Sequence, residues 1–300
     1  MSKYIKVFDT VEDYNAYSGS TGFVSPNVSY IVSGDATKYD DNEIKHYTKD
    51  TWLFGGENYN ASKSIYAKNI FDFRWGIKSI DIPLKDSENN TLTEFSTGCF
   101  ENCFSLEKVT MQSGITSIGQ NCFNNCVSLA NITLSNSVTF IGKYAFKGCS
   151  SLTNITIPSG LTGINESCFE NCKSLTSIDL PSGLTTIGNS AFKNCSGLTT
   201  VNIPDSVTSL NHYAFNNCKG LTTVTIPSGV TSIGVYAFNG CTGLTSVTIN
   251  ATTPPTLSDT SVFNNTNNCP IYVPSESVDT YKSTTNWSSY ASRIQAIPTD

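Results

Sequence analysis

Seven cysteines stand at a constant spacing of 23 residues, and this spacing restricts the possible fold more than any other feature. They are Cys103, Cys126, Cys149, Cys172, Cys195, Cys218 and Cys241. A phenylalanine stands three residues before each of these cysteines, and a leucine stands three residues after it. A constant period between 20 and 50 residues is typical of solenoids, in which one small unit repeats and stacks on its neighbours. The sequence therefore predicts a stacked repeat array.

The leucine of each repeat begins a short strand. In the repeat that starts at Leu175, Ile178 and Leu180 follow at alternate positions, and alternate residues of a strand face the same side. Pro181-Ser182-Gly183 comes next. Proline lacks the backbone donor that a ladder needs and glycine favours a bend, so we expect the strand to end there.

A second extended stretch follows the turn and directs Ile187 inward. The next residue is glycine or asparagine in every repeat from Gly119 to Gly234, so we expect a positive φ at this position. The segment from there to the cysteine is long enough for one helical turn. A lone copy cannot cover its inward side chains. Stacked copies can, and at about 1.5–3 kcal/mol per large apolar side chain each gains roughly 10 kcal/mol before entropy is subtracted.

The complete pattern, I-G-x-x-A-F-x-x-C-x-x-L-x-x-V-x-I-P, resembles the BspA-like leucine-rich repeats of bacterial and protist surface proteins and of some phage proteins. It extends over residues 92–250. A degenerate earlier copy is visible at Ile77–Pro83, where Ile80 corresponds to Val109 if about six extra residues lie around Lys85–Asn90. The resemblance implies an α/β solenoid, a right-handed leucine-rich-repeat superhelix with a concave parallel β-sheet. We place this solenoid at residues 61–250, with seven regular repeats and one degenerate copy.

Residues 1–60 lack the period and are interpreted as a small α+β module for anchoring or oligomerisation. We predict strands at Tyr4–Phe8, Val28–Val32 and Glu43–Tyr47, and a short helix from Thr10 to Tyr17. The opening Y-I-K-V-F-D-T, with P-N-V-S-Y and I-K-H-Y, is similar to leader segments of virion proteins from phages of gut Bacteroidetes. The first nine residues contain no apolar stretch of signal-peptide length, so we expect a removed signal or another exit route, such as lysis.

Residues 251–300 depart from the repeat and are predicted to form a C-terminal cap. We expect a last strand within Cys269–Pro274, and a helix that Ser275 caps and that carries Val278 and Tyr281. The aromatic and aliphatic residues expected to cover the open end of the core are Trp287, Tyr290 and Ile294. A solenoid needs such a cap because an uncovered last layer would expose apolar surface.

Eleven cysteines raise the question of a metal site or disulfides. The pairs Cys99/Cys103 and Cys122/Cys126 lie in adjacent repeats, so four sulfurs could approach one another as in a zinc site. Alanine replaces the first cysteine of the pair in other repeats, which favours small buried side chains instead. Disulfides between stacked repeats stay possible, although the count is odd. We expect packed, reduced thiols and no metal, with Cys269 the least defined.

No motif in the chain indicates catalysis. There are two histidines, no phosphate-binding glycine loop, no H-E-x-x-H and no nucleophile elbow. Asp179 is the only carboxylate at the exposed strand positions of repeats four to seven, so paired acid–base chemistry lacks a second member there. His212 is interpreted as a solvent-facing variation. With a net charge of −6 a nucleic acid is not an expected partner. We predict no enzyme activity and no cofactor.

The outward positions of the long strands are the candidate binding face. The predicted residues are Asn131, Thr133, Asn154, Thr156, Ser177, Asp179, Thr200, Asn202, Thr223 and Thr225. Concave solenoid faces are usual recognition surfaces, and hydroxyls and amides suit a glycan or a polar protein. Equally, threonine has high β-propensity and forms cross-strand ladders without any ligand.

These observations predict a non-enzymatic structural and recognition protein. We expect a phage virion component, a decoration, fibre or tail-associated protein, that residues 1–60 join to other virion or surface-assembly proteins, with possible homo-oligomers. The solenoid would then project toward a protein or glycan at the host surface. The alternative is a bacterial cell-surface adhesin with its export signal removed. Genes for capsid and tail proteins nearby would favour the first, and outer-membrane assembly genes the second.

Overall fold

The computed structural model describes residues 93–111 and 113–299 in full. It also describes the backbone of six short strands before them, which are β1 (Lys6–Phe8), β2 (Tyr30–Val32), β3 (Ala36–Asp40), β4 (Glu43–Tyr47), β5 (Ser64–Ile65) and β6 (Ser79–Ile82). Strand β1 pairs in parallel with β2, and β3 pairs in antiparallel fashion with β4. The three strands predicted in this region lie at β1, β2 and β4, whereas β3 was not predicted. The predicted helix at residues 10–17 and the extra residues 85–90 lie outside the described residues.

The fully described part contains sixteen further strands. They are β7 (Glu94–Phe95), β8 (Lys108–Met111), β9 (Ser117–Ile118), β10 (Asn131–Thr133), β11 (Phe140–Ile141), β12 (Gly163–Ile164), β13 (Ser177–Asp179), β14 (Thr186–Ile187), β15 (Thr200–Asn202), β16 (Ser209–Leu210), β17 (Thr223–Ile226), β18 (Ser232–Ile233), β19 (Ser246–Ile249), β20 (Thr256–Leu257), β21 (Ile271–Val273) and β22 (Ile294–Ala296). The long strand and the short strand of a repeat alternate along most of the chain. The exceptions are the repeat of Leu152, which has only an isolated bridge from Thr156 to Asp179 in place of a long strand, and β21 and β22, which both belong to the long-strand sheet.

Two columns of parallel strands run along the solenoid. The long strands form the sheets β6–β8–β10 and β13–β15–β17–β19–β21–β22, and the short strands form β5–β7–β9–β11 and β12–β14–β16–β18–β20. Equivalent residues of successive repeats pair, as Ile178 does with Val201. Ile80 pairs with Val109, so the predicted alignment of the degenerate copy is confirmed. The predicted parallel solenoid is confirmed as well.

The third side of each repeat is a turn segment, which joins the short strand to the next long strand. Its backbone also bonds to the following repeat, because the amide of Phe192 donates to the Ala214 carbonyl at 2.8 Å. Within the segment, the Cys195 amide donates to the Phe192 carbonyl three residues before it. The predicted helical turn is therefore replaced by tight turns, since the backbone groups bond to the neighbouring repeat rather than along a helix axis.

The core is a set of stacked columns, as the period predicted. The phenylalanine rings from Phe100 to Phe263 lie nearly parallel, with centroids 5.1–5.6 Å apart in successive repeats. The register cysteines, the leucines and the inward strand residues are buried beside them. Each described repeat therefore shields the apolar side chains of the next, and within residues 93–299 no repeat has a separate core.

The prediction of a positive φ at the glycine after the short strand is wrong. Gly188 and Gly234 do not have a positive φ. Glycine is required at these positions because the backbone of the preceding repeat leaves no room for a side chain. A Cβ on Gly188 would lie 2.8 Å from the Ile164 carbonyl oxygen, and one on Gly234 would lie 2.4 Å from the His212 nitrogen. The left-handed residues stand elsewhere, immediately before the register cysteine and two residues before the core phenylalanine.

The C-terminal residues close the last layer. A 3-10 helix (Ser275–Ser277), helix α1 (Val278–Ser283) and a second 3-10 helix (Trp287–Tyr290) precede β22. Tyr281, Trp287, Tyr290 and Ile294 are buried, which confirms the predicted cover. The prediction that Ser275 caps the helix is wrong, because its hydroxyl donates to the Glu276 carboxylate while Pro274 and Ser277 occupy the cap positions.

Candidate functional site

All ten candidate residues are exposed. Asn154 and Thr156 lie outside the described strands, and Thr156 forms an isolated bridge with Asp179. The other eight lie on the long strands β10, β13, β15 and β17. We call the outward side of these strands the long-strand face. Its best-defined part is a row in which each residue pairs with the next one across the sheet. The row consists of Thr156, Asp179, Asn202, Thr225, Thr248, Tyr272 and Gln295. With strands about 4.8 Å apart, it is roughly 29 Å long.

Ser177, Thr200 and Thr223 stand in a second row of the same face. Asn131 and Thr133 belong instead to the separate sheet of β10, where they pair with Lys108 and Thr110. Tyr272 and Gln295 were not among the predicted residues. Tyr272 could have been found, because it is the outward residue of the I-Y-V run whose neighbours face the core.

A third row beside the face shows how threonine serves the fold alone. The hydroxyls of Thr176, Thr199, Thr222 and Thr245 each donate to the backbone carbonyl of the equivalent residue in the preceding repeat, at 3.0–3.4 Å. By contrast, no candidate side chain hydrogen-bonds to another residue within the described part of the chain. The two kinds of row therefore differ: one completes the backbone ladder, and the other presents unused donors and acceptors to solvent.

The turn segments form a second surface, the turn face, which we define as the outward side chains of residues 143–147, 166–170, 189–193, 212–216 and 235–239. Glu170 is largely buried there, with the Lys147 Nζ at 2.9 Å and the Lys193 Nζ at 3.8 Å from its carboxylate oxygens. In an adjacent row, the Lys143 ammonium and then the Tyr144 hydroxyl donate to Glu166 and lower the pKa of its carboxyl.

His212 is exposed, as predicted, and it also has structural partners in the neighbouring repeats. Its Nδ1 accepts a hydrogen bond from the Val235 amide at 2.9 Å, and its own amide donates to the Asn189 side chain at 3.2 Å. Both interactions link neighbouring repeats at the same position. The ring nitrogen of His212 thus accepts the same backbone hydrogen bond that the side-chain oxygen of Asn189 accepts one repeat earlier.

All eleven cysteines are buried free thiols. The thiol of Cys195 donates to the Phe169 carbonyl at 3.1 Å, and Cys126, Cys149, Cys172, Cys218 and Cys241 make the equivalent bond. Burial raises the pKa of Cys195 and Cys241 to about 12. These groups are neutral hydrogen-bond donors that pack in the core, whereas a zinc ligand is a thiolate.

Within the residues that the structure describes, no set of three or more His, Cys, Asp or Glu side chains is arranged to hold a metal ion. In the same part of the chain, no helix has the length and apolar character needed to cross a membrane.

The family of the chain follows from comparisons with known proteins. The family of BspA type leucine rich repeat regions matches in six copies, over residues 63–199 and 164–292. A leucine rich repeat protein of T. pallidum is 31% identical, with a TM-score of 0.52 over 56% of this chain and 78% of the other. A leucine rich cell surface protein of Faecalibacterium prausnitzii is 26% identical, with a TM-score of 0.57 over 68% of this chain and 65% of the other.

The second of these matches thus spans a little less than two thirds of the length of its relative. A search of curated protein sequences found no match. Proteins with this fold are typically non-enzymatic scaffolds that bind other proteins. The repeat pattern, the stacked register and these matches agree. The chain therefore belongs to the BspA-type leucine-rich repeat family.

Proposed function

We propose that the protein is a non-enzymatic recognition protein that is displayed at a surface and binds a partner protein through the long-strand face. The observation that carries this proposal is the contrast between neighbouring rows. The hydroxyls of Thr176 and Thr199 are committed to the backbone, whereas Asp179, Asn202 and Thr225 are exposed in a row and make no side-chain hydrogen bond within the described residues.

The composition of the face favours a polar partner. Its side chains are hydroxyls and amides with one carboxylate among the central strands, Asp179, and with one aromatic ring, Tyr272. A stacked parallel sheet holds these groups at fixed intervals, so little conformational entropy is lost when a partner binds. A protein is the preferred partner because the fold typically binds proteins. A glycan is the other partner predicted from the sequence.

A bacterial cell surface is the proposed location. The F. prausnitzii relative is a cell surface protein, which supports this location for the present chain. The virion location rests on the resemblance of residues 1–60 to phage leader segments, and none of the comparisons supports that resemblance. It stays a prediction, as does the role of residues 1–60 in anchoring.

Location and binding need separate experiments. Antibody labelling of intact cells that carry the gene, compared with purified phage particles, distinguishes the two locations. If deletion of residues 1–60 leaves particle incorporation and oligomerisation unchanged, the anchoring role is wrong.

Binding is tested by screening the protein against extracellular proteins and a glycan array. The triple variant Asn154→Ala, Asp179→Ala, Asn202→Ala is expected to lose at least tenfold in affinity with little change in melting temperature. The matched control is Thr186→Ala, Ser209→Ala, Ser232→Ala, which changes three outward residues of the short strands. Equal binding by both triple variants, or no binding by the wild type in either screen, would contradict the proposal.

A further inference from the structure

One column of the turn face has an unusual choice of residues. It stands two residues before the core phenylalanines from Phe123 to Phe238 and consists of Asn121, Tyr144, Ser167, Ser190, Tyr213 and Tyr236. All six have a φ between 50° and 60°. The left-handed conformation costs a residue with a Cβ about 1–2 kcal/mol, and asparagine tolerates it far better than a bulky side chain does. Three tyrosines therefore occupy positions where other repeats use small polar residues.

Tyr144 has a structural explanation, whereas Tyr213 and Tyr236 do not share it. The Tyr144 hydroxyl donates to the Glu166 carboxylate at 2.8 Å. The hydroxyls of Tyr213 and Tyr236 bond to no other residue in the described part of the chain. Tyr213 is 37% exposed, which makes it one of the most exposed large apolar side chains of the described residues. Residues other than glycine that are held in the left-handed conformation are often found at functional sites.

The rings of Tyr213 and Tyr236 form a stacked pair, with centroids 5.2 Å apart and an interplanar angle of 21°. The Lys193 ammonium lies over the Tyr213 ring, 5.6 Å from its centroid. Lys193 belongs to the preceding repeat and Tyr236 to the following one, so they cover opposite faces of the Tyr213 ring. What Tyr213 presents to solvent is its edge and its hydroxyl, and a sugar ring has no free face of Tyr213 on which to stack.

The charge beside the pair is positive. Lys147 and Lys193 share the single carboxylate of Glu170, so the three groups together carry a net charge of +1. On the other side of the pair, Asp259 accepts hydrogen bonds from the amide and hydroxyl of Ser261. That carboxylate keeps its negative charge, so the excess of positive charge is confined to the Lys193 side of the pair.

We propose that Tyr213, Tyr236 and Lys193 form a second docking site, which binds an acidic segment of a partner protein. Two phenol hydroxyls and an ammonium are donors, and a carboxylate is the acceptor that suits them. A preassembled tyrosine pair also loses little entropy when it binds, because each side chain has two χ angles and is already held by stacking. Tyrosine is enriched among the residues that contribute most to protein–protein affinity.

The site lies on a different side of the repeat from the long-strand face, so the inference goes beyond the proposed function and does not rest on it. The overall charge of the chain is −6, so non-specific attraction cannot account for the binding of an acidic peptide. Binding of such a peptide would have to come from a local cluster of donors.

The test measures fluorescence anisotropy with a labelled dodecapeptide of alternating glutamate and serine. The neutral comparison is the same peptide with glutamine, and the carboxylated-glycan comparison is an oligogalacturonate of similar charge. The double variant Tyr213→Ser, Tyr236→Ser introduces serine, which already stands at the equivalent position of another repeat as Ser190. We expect this variant to bind the acidic peptide at least tenfold more weakly than the wild type. Tyr144→Ser is the matched control in the same column and is expected to bind within twofold of the wild type.

A second variant, Tyr213→Phe with Tyr236→Phe, keeps the ring stack and removes only the hydroxyls, so an intermediate loss is expected without any change of fold. The long-strand triple variant is expected to bind the acidic peptide normally, which separates this proposal from the first. The proposal is overturned if the wild type does not prefer the glutamate peptide to the glutamine peptide. Unchanged binding by both tyrosine double variants, or binding of the oligogalacturonate alone, would overturn it too.

Discussion

Replacing Phe192 with alanine tests whether the repeats share one continuous core. The ring is fully buried and lies between Phe169 at 5.5 Å and Phe215 at 5.2 Å, both in nearly parallel stacking. Removing a buried phenylalanine costs about 3–5 kcal/mol, because transfer free energy is lost and a cavity remains. Two aromatic contacts, each worth about 0.5–1.5 kcal/mol beyond area burial, place this position in the upper half of that range.

The matched control is Phe140→Ala, which deletes the same atoms from a ring that is 51% exposed. We expect it to change the free energy of unfolding by about 0.5 kcal/mol or less. Equilibrium urea unfolding followed by circular dichroism gives both values. Hydrogen exchange should also show that Phe192→Ala lowers amide protection in the repeats of Phe169 and Phe215, since those rings lose their neighbour.

A continuous core shared by the repeats would be refuted if the two variants unfolded at the same urea concentration. A loss of protection confined to the repeat of Phe192 would also contradict it, because each repeat would then be stable without its neighbours. Nearest-neighbour coupling between repeats is what makes a solenoid cooperative.

Two further predictions concern the thiols and the left-handed residues. Burial raises the pKa of Cys195 and Cys241 from 9.0 to about 12, so their contribution to stability is complete below pH 9 and is lost as the pH rises toward 12. Unfolding free energies measured from neutral to alkaline pH test this sign, and rapid labelling of the native thiols by a thiol reagent at pH 8 would contradict the burial. Asn194 has a φ of 61° and its amide bonds to Asn171 and Asn217, so Asn194→Ala should destabilise the protein more than Asn194→Gly, by about 1 kcal/mol. Thermal unfolding compares the two variants, and the opposite order would show that φ is not the cause.

Much of the fold could be predicted because the period is local information. The 23-residue spacing identifies the inward residues of every repeat, and the pairing of Ile80 with Val109 agrees with the alignment made across the longer degenerate repeat. The strands at Glu43–Tyr47 and Ile271–Val273 could be predicted from alternation and turn residues alone. These features depend on which side chains repeat, and the sequence states that directly.

Contacts between repeats are less accessible from the sequence. Glycine at Gly188 suggested a positive φ, whereas the structure shows that the reason is the approach of the Ile164 carbonyl. His212 faces solvent as predicted, but the hydrogen bond that its ring accepts from the Val235 amide was not predicted. In each case the partner lies 23 or 24 residues away in the chain, and the role depends on distances that only stacking defines.

The amino-acid sequence by itself determined the stacked solenoid, its two strand columns, the buried phenylalanines and thiols, and the exposed positions of the long strands. It did so because burial follows a period that can be counted. The tertiary structure decided which exposed side chains hydrogen-bond within the protein and which do not. Thr199 and Thr200 are adjacent exposed threonines, but the hydroxyl of Thr199 bonds to the Thr176 carbonyl and that of Thr200 bonds to no described residue. That difference depends on the direction of one side chain relative to the next repeat, and residue type alone does not specify it.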